Sequence, residues 1–435
     1  MRIVIIGAGE VGSNIAASLC EAHEVVVIDI DKSKIDSLTY SIDVLAIKGD
    51  GATLDTLQEA GVEEADIVIA STDDDETNIV ACGTAKTLSD AFTIARVTRT
   101  KFFRTWESSR GSLGVDYMVG TNLLTAQTIV RIIGLPAARD VDVFAGGTVQ
   151  VADFEIPEGS PIANQTVREA DRFDSLTFAA VLRNGDVEIP RGNTTINVND
   201  HVVVIGAPGS VQDFASTVAP EQVQSGVDDI VVFGGSETGY QTARLLESRG
   251  LKPRLIEQDP ERARELAEEL PNTFVLEREN VDEADVVVSA LDTDEKNLLT
   301  SLLIKRLGAG RTIAVVDNGK YVDLFEAIGV DVAVNPRQVT AEEITRFTRE
   351  RRTEKVALIG GEDAEVLEIE VDSDSILANR EIHDAVQDLP QGVVIGAITR
   401  DSQFITPRGN TEIQVGDHVV VFVHSEVLDE VSSKI

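Results

Sequence analysis

The sequence is poor in cysteine, with only Cys20 and Cys82 among 435 residues. Both lie in segments that read as helices, and neither has a CxxC partner. That excludes a disulfide framework and a cysteine-based zinc site. The expectation is two small buried hydrophobes in a reducing compartment, the cytosol. Long apolar runs are missing as well. The longest, such as Val202–Ala207 and Val419–Val423, fall far short of the roughly 20 residues a membrane-spanning helix needs. The opening Met1-Arg2-Ile3-Val4-Ile5-Ile6-Gly7 runs straight into a strand pattern, so no signal peptide is expected. Positive charge is scarce: 38 basic residues, mostly arginine, against 75 acidic ones give a formal net charge of −37. So acidic a surface repels nucleic acid and anionic lipid, and no nucleic-acid partner is expected. The acids are spread along the chain rather than clustered. That favours adaptation to high salt, as in a halophile, over cation-binding carboxylate clusters or avoidance of acidic substrates.

What is present is a globular chain that repeats itself. Hydrophobic content is 43%, and about 100–200 residues per domain predicts two to four domains. Residues 192–204 read Gly-Asn-Thr-Thr-Ile-Asn-Val-Asn-Asp-His-Val-Val-Val, and residues 409–421 read Gly-Asn-Thr-Glu-Ile-Gln-Val-Gly-Asp-His-Val-Val-Val. Glu64-Ala65-Asp66 is echoed by Glu283-Ala284-Asp285, and Gly114-Val115-Asp116 by Gly329-Val330-Asp331. The order is the same in both halves, so the chain is a duplication.

The first part of each half alternates short apolar strands with helical segments. In the first half these are strands at Arg2–Ile6, Glu24–Ile28, Val44–Ile47, Ile67–Ala70 and Thr93–Val97, with a helix at Ser13–Glu21. That pattern predicts a parallel, doubly wound sheet. The second part reads as strands Val149–Phe154, Thr177–Leu182 and His201–Ile205, joined by turn signals at Asn184-Gly185-Asp186 and Arg191-Gly192-Asn193. The fold class is therefore α/β: two tandem Rossmann-like doubly wound parallel-sheet lobes, each followed by a small α+β lobe. The expected boundaries are 1–120, 121–138 (a crossover helix, Leu123–Ile133, and linker before Gly134-Leu135-Pro136), 139–219, 228–339, 340–354 (a linker helix, Thr340–Arg352) and 355–435.

Gly7-Ala8-Gly9-Glu10-Val11-Gly12 lies between the first strand and the first helix. A lone GxGxxG is weak, but here the flanking elements agree with it. Gly7 permits the tight turn, Gly9 lets the backbone approach a pyrophosphate, and Gly12 lets helix pack on sheet. The helix N-terminus offers free N–H groups to the phosphates. Asp29 ends the second strand about 20 residues on, where a ribose-binding acid is expected. It would repel a 2′-phosphate, which favours NAD(H) or an adenosine nucleotide over NADP(H). The alternative is a solvated turn residue. Asp50, in Gly49-Asp50-Gly51, follows the third strand, and Thr72 and Asp73 follow the fourth. Thr72 and Asp73 suit a sugar or base, or else a helix cap. Arg96 ends the fifth strand and suits a phosphate, or else an ion pair with nearby acids.

The second loop, Gly234-Gly235-Ser236-Glu237-Thr238-Gly239, has Ser236 where the first has Gly9. Its Cβ obstructs a pyrophosphate, although its hydroxyl could donate to one oxygen. Glu257 stands in the place of Asp29 and suits a ribose. From Asp29 to Asp66 is 37 residues, but from Glu257 to Asp285 only 28. The Gly-Asp turn and the helix at Thr53–Ala60 thus have no counterpart, with Glu277-Arg278-Glu279-Asn280 bridging the gap. Val315 replaces Arg96. A scaffold lobe is the stronger reading, and a second nucleotide site the weaker.

No GxSxG, HExxH or GxxxxGK[ST] motif occurs. The five histidines are His23, His201, His383, His418 and His424. His201 and His418 are repeat-equivalents in Val-rich strands and read as structural. No nucleophile–base pair and no metal-ligand spacing is found, so binding without catalysis is expected.

Taken together, Gly7-x-Gly9-x-x-Gly12, Asp29, Thr72-Asp73-Asp74-Asp75-Glu76-Thr77-Asn78, Ile94-Ala95-Arg96, Gly114-Val115-Asp116 and the paired Gly-Asn-Thr…Asp-His-Val-Val-Val strings resemble the RCK (KTN) family. Within it they resemble the tandem regulators of Trk-type potassium uptake. The resemblance covers essentially the whole chain, as N-lobe, C-lobe, N-lobe, C-lobe. It implies a cytoplasmic, nucleotide-sensing subunit, peripheral to the inner face of the membrane, that gates a membrane potassium transporter subunit of the TrkH kind. It implies homo-oligomers, dimers or tetramers. It implies NAD(H), or ATP or ADP, bound by Gly7–Val11, Asp29, Thr72–Asp73 and Arg96, with Gly234–Thr238 and Glu257 as the second-lobe equivalents. Ser236 and the shortened stretch after Glu257 depart from the family pattern. The rival readings are an NAD-dependent oxidoreductase and a ligand-binding regulator of another channel or exchanger.

Overall fold

The computed structural model describes the whole chain except residues 110–112, 136, 184–185, 221–228, 278–283, 350–354, 360–363, 402 and 435. The expected Asn184-Gly185 turn, the Arg278-Glu279-Asn280 bridge and Pro136 lie outside the described residues.

The chain begins with β1 (Arg2–Ile6), α1 (Glu10–Leu19), β2 (Glu24–Asp29), α2 (Lys32–Ser41), β3 (Leu45–Lys48), α3 (Leu54–Glu59), β4 (Ile67–Ala70), α4 (Asp75–Leu88), β5 (Phe92–Val97), α5 (Thr100–Ser109), β6 (Tyr117–Gly120) and α6 (Thr121–Ile133). The six strands form one parallel sheet in the order β3-β2-β1-β4-β5-β6. Such a sheet is buried on both faces, which is why its strands are short continuous runs of Val and Ile rather than alternating ones. Val4 and Ile6 face a core shared with Leu57, Ala81 and Ala85. Ile3 and Ile5 face Val11, Ile15 and Leu19 on the other side. The first helix starts at Glu10, not at Ser13, because Gly9 takes an extended N-cap conformation (φ −74, ψ −173). The third glycine of the loop is therefore already helical.

A small antiparallel lobe follows: β7 (Ala138–Phe144), β8 (Val149–Glu155), α7 (Val167–Ala170), β9 (Leu176–Arg183), β10 (Asp186–Glu188), β11 (His201–Gly206) and α8 (Pro208–Val218), with strand order β10-β9-β11-β8-β7.

The second half repeats the plan with β12 (Ile230–Phe233), α9 (Glu237–Ser248), β13 (Arg254–Ile256), α10 (Pro260–Glu269), β14 (Phe274–Leu276), β15 (Val286–Ser289), α11 (Asp294–Arg306), β16 (Arg311–Val315), α12 (Val322–Ile328), β17 (Val332–Val334) and α13 (Pro336–Arg349). The sheet order is β14-β13-β12-β15-β16-β17. The linker helix begins at Pro336 rather than Thr340, since proline is favoured in a first helical turn. A second antiparallel lobe closes the chain: β18 (Lys355–Ile359), β19 (Ala364–Glu370), β20 (Arg380–Glu381), α14 (Ile382–Ala385), β21 (Val393–Arg400), β22 (Gln403–Ile405), β23 (Glu412–Ile413), β24 (His418–His424) and α15 (Leu428–Lys434).

The four lobes group as two compact units. Met1–Val130 with Asp228–Thr348 makes one, and Arg131–Val227 with Arg349–Ile435 the other. In the first, α13 of the second half packs on the first half's sheet. Ala341 and the fully buried Ile344 join the core of Ile3, Ile5 and Ile15. Burying one such isoleucine stabilises by about 1.5–3 kcal/mol. In the second unit the two antiparallel sheets share a core. Phe144, Val149 and Ile205 meet Val366, Val420 and Phe422. No helix among the described residues is long and apolar enough to cross a membrane.

The repeated motifs are fold pins. Asp66 and Asp285 each accept an N–H at the start of their lobe's first strand, from Arg2 at 2.7 Å and from Asp229 at 2.9 Å. Asp116 and Asp331 each accept the N–H of a β-strand threonine, Thr93 and Thr312, at 2.8 Å. In the small lobes Asp200 and Asp417 take bidentate hydrogen bonds from Arg183 and Arg400, all at 2.7–2.8 Å. His201 pairs with Asp153 at 3.1 Å and His418 with Glu368 at 3.3 Å.

Candidate functional site

Both parallel sheets reverse direction between their first and fourth strands, and a ligand crevice is expected at the carboxyl ends there. In the first lobe that place holds a cavity of about 610 Å³. Gly7, Gly9, Glu10, Val11, Asp29, Asp50, Thr72, Asp73 and Arg96 all line it. Ala8 and Gly12 stand behind them. Ala8 donates its N–H to Asp29 at 2.7 Å. A Cβ on Gly12 would come 1.9 Å from the Gly7 carbonyl oxygen, so helix and loop can approach only through glycine. Gly7 itself has φ +105. At Gly9 a Cβ would meet nothing within 4 Å. The loop backbone there faces open space at the N-terminus of α1, where helix N–H groups attract an anion.

Asp29 is more than a surface turn. One carboxylate oxygen accepts from Ala8 N and the other from Asp31 N, each at 2.7 Å. It ties the loop to the end of β2 and retains lone pairs for further donors. Asp50 accepts the N–H of Ala52 at 3.0 Å, which shapes the turn after β3.

The acidic string after β4 divides its tasks. Asp74, not the Thr72-Asp73 pair, caps α4, accepting from Thr77 N at 2.8 Å. Asp75 is buried and accepts from Thr98 N, Arg99 N and Arg99 Nε at 2.8–3.0 Å. Burial pushes its carboxyl upward, but these donors outweigh that and hold it below the ordinary carboxylate value. Buried Asn78 accepts the Thr72 N–H and donates to the Arg96 carbonyl, both at 2.9 Å. Asp294 and Asn297 make matching bonds in the second lobe, to Asp317 N and Val315 O. Asp73 is left free for the cavity, where it meets Arg96 at 3.2 Å. Arg96 is only 5% exposed. It thus forms an ion pair and lines the cavity at once. The Thr72 hydroxyl donates to Asn78 at 2.7 Å, so towards the cavity it can act only as an acceptor.

The second loop is built differently. Ser236 donates its hydroxyl to the Ala290 carbonyl at 2.7 Å and caps α9 through Gly239 N at 3.2 Å. The hydroxyl expected to be available to a phosphate is committed to the protein. Glu257 repeats the Asp29 bonds, to Gly235 N at 2.7 Å and Asp259 N at 2.8 Å. Gly234, Gly235 and Glu257 do not line the neighbouring cavity of about 390 Å³, whereas Ser236, Glu237 and Thr238 do. That cavity is shared with Asp73 and Arg96 of the first lobe.

Sequence reasoning missed Arg337. It lies in the first turn of α13, lines both cavities and reaches Glu10 at 2.8 Å. The signal was available in the repeat. Counting on from Asp116 and Asp331 sets Arg337 against Asn122 of the first half. Lys34 on α2 also lines the first cavity.

Comparison with known proteins gives a consistent answer. The TrkA-N domain family matches residues 3–120 and 230–336, and the TrkA-C domain family matches 151–219 and 366–435. Trk system potassium uptake protein TrkA homolog 2 of Methanosarcina mazei is 34% identical over 451 residues, covering 99% of each chain. The TrkA homolog of Archaeoglobus fulgidus is 35% identical over 444 residues, again with 99% coverage of each. TrkA of Halomonas elongata is 31% identical over 443 residues, covering 97% of this chain and 96% of its own. Among solved structures, the GsuK RCK domain matches with a TM-score of 0.58 at 18% identity, over 99% of this chain and 95% of that one. The GsuK channel bound to NAD matches with the same score and identity, over 99% and 79%. These two are likenesses of fold.

Proposed function

The chain belongs to the TrkA family of Trk-system potassium uptake proteins, and from that premise we propose that it is a nucleotide-sensing regulatory subunit gating a TrkH-like membrane potassium transporter. The observation that carries the nucleotide reading is the opening of Gly9 and the α1 N-terminus onto the 610 Å³ cavity, with Asp29 on one side and Arg96 on the other. NAD(H) fits this set best, with ATP and ADP as alternatives. All share a ribose for Asp29 and a pyrophosphate for the loop N–H groups. Gly7, Gly9, Glu10 and Val11 would form the phosphate side, with Ala8 and Gly12 shaping the loop. Asp50, Thr72 and Asp73 would face sugar or base, and Arg96 the phosphates.

The second loop, Gly234 to Thr238 with Glu257, serves as scaffold, because its serine and carboxylate are spent on the protein's own backbone. The ligand acts by preferring one arrangement of the lobes, shifting their equilibrium by its differential affinity. We assign 1–120 and 228–339 as N-lobes and 139–219 and 355–435 as C-lobes. The subunit works at the cytoplasmic face of the membrane through its partner and assembles with further copies of itself. A stripe along α11 and its C-cap supports self-association: Leu299, Leu303 and the C-cap Leu307 are 68%, 58% and 48% exposed. In the first lobe the corresponding helix α4 is partly covered, with Thr84 bonded to Ala52 O at 3.4 Å.

The test is calorimetric titration with NADH, NAD, ATP and ADP in high potassium salt, on wild type and Asp29→Ala, followed by transport assays with the reconstituted partner. About one site per chain, lost in the variant, together with ligand-dependent transport, supports the reading. No binding by any of the four sinks it.

A further inference from the structure

Both the crossover helix of the first half and that of the second place their first turn at the opposite lobe's glycine loop. At the second loop the contact from the crossover helix is neutral: Thr238 donates to Asn122 at 3.1 Å, while Glu237 accepts from Thr100 of α5 and from Gln241 of its own helix. At the first loop the position of Asn122 is taken by Arg337, whose guanidinium donates to Glu10 at 2.8 Å. Glu10 also accepts the N–H of Gly319 at 3.2 Å. A purely mechanical clamp would suit both loops equally. Instead, although Arg337 borders both cavities, its direct contact is with the loop whose backbone is open, and a neutral amide contacts the loop closed by Ser236.

We propose that Arg337 is a phosphate-binding residue of the first lobe's crevice, contributed by the second half, and that Glu10 is the stand-in that a ligand phosphate displaces. The inference rests on the nucleotide reading above. Arg337 lines the same cavity as Gly9 and Arg96. A guanidinium carries five N–H donors in a fork suited to phosphate, and Glu10 uses one. Glu10 is the first residue of α1, so its carboxylate stands by the positive helix end that a phosphate would also seek. A phosphate entering beside Glu10 and Asp73 meets two carboxylates, each already paired with an arginine, Arg337 and Arg96. Transferring both arginines to the phosphate leaves the Glu10 and Asp73 carboxylates to solvent, so neutralising Glu10 should favour the ligand. Because Glu10 also holds Gly319, the exchange releases one tie between the lobes and makes another through the ligand. Occupancy is thereby read as a change in how the second lobe is seated on the first.

The experiment is a double-mutant cycle with Glu10→Gln and Arg337→Gln, titrated calorimetrically with NADH and ADP on the full chain. Thermal melts check folding, and Arg337→Lys retains the charge. Arg337→Gln is expected to weaken both ligands about tenfold or more, and Arg337→Lys to recover part of that loss. Glu10→Gln is expected to tighten them about tenfold in the wild-type background but less than about twofold beside Arg337→Gln, the non-additivity of a shared pair. Wild-type binding unaltered by Arg337→Gln overturns the inference and leaves the nucleotide reading standing, and so does strict additivity. Wild type that binds neither ligand overturns both.

Discussion

Raising the pH through neutrality should weaken the antiparallel unit through Asp140. This residue lies on β7 directly opposite Asp153 on β8, where like charges across a ladder destabilise. Burial pushes its carboxyl up, Asp142 adds repulsion, and Arg131 only partly opposes them, so it titrates at about 7. In the unfolded chain an aspartate titrates near 3.9. The folded value is raised, so its contribution to stability is fully present below about pH 4 and is lost as pH rises through about 7. At about 1.4 kcal/mol per unit, a shift of roughly three units sets a ceiling of about 4 kcal/mol. Asp140 keeps some exposed surface, and screening there brings the expected loss to about 2 kcal/mol. His201 titrates in the same sense. Burial lowers its pKa, but pairing with Asp153 more than offsets that. The wild-type profile alone therefore does not isolate Asp140. The comparison is wild type against Asp140→Asn, in the full chain, by hydrogen exchange of the β7–β8 amides at about pH 4 and about pH 8.5. The variant should be more stable than wild type by about 2 kcal/mol at the higher pH and nearly equal at the lower. Parallel pH profiles for the two proteins would refute the reasoning.

Asp417, 1% exposed and gripped by Arg400, should cost about 2 kcal/mol when changed to Asn, as should its repeat-equivalent Asp200, because each removes the bidentate carboxylate of an arginine that is then held only by one backbone carbonyl and solvent. Burial raises the Asp417 pKa, but the Arg400 bonds more than offset this and hold it low. Its stabilisation is thus present above about pH 4 and lost as pH falls through its lowered folded value, and guanidinium unfolding of wild type and Asp417→Asn at about pH 7 and about pH 2 should converge at the lower value. Leu303→Glu should break self-association, placing a charge in the centre of the α11 stripe. Sedimentation velocity showing a wild-type monomer, or an unchanged oligomer in the variant, would discard that interface.

What was legible in the sequence and what was not follows from how each signal is carried. The parallel sheets were legible because burial on both faces leaves continuous Val and Ile runs, as in β1 and β4. The glycine loop was legible because its spacing is local. The alternative of a cap at Thr72-Asp73 could not be decided locally, since a run of Asp73-Asp74-Asp75 offers three carboxylates and only the backbone sets Asp74 as the one that faces the helix. Arg337 was beyond local reading, for it reaches its partner Glu10 only through the fold. The duplication supplies a better rule than either. Positions that repeat, such as Asp75 with Asp294 and Asn78 with Asn297, make the same backbone bonds in both lobes and are what the fold requires. Among positions at which the halves differ, Gly9, Arg96 and Arg337 line the first cavity, and their counterparts Ser236, Val315 and Asn122 line the second. Duplication relieves one copy of ligand binding while both must still fold. The proposed function accordingly puts ligand binding on the residues that distinguish the copies around the first cavity.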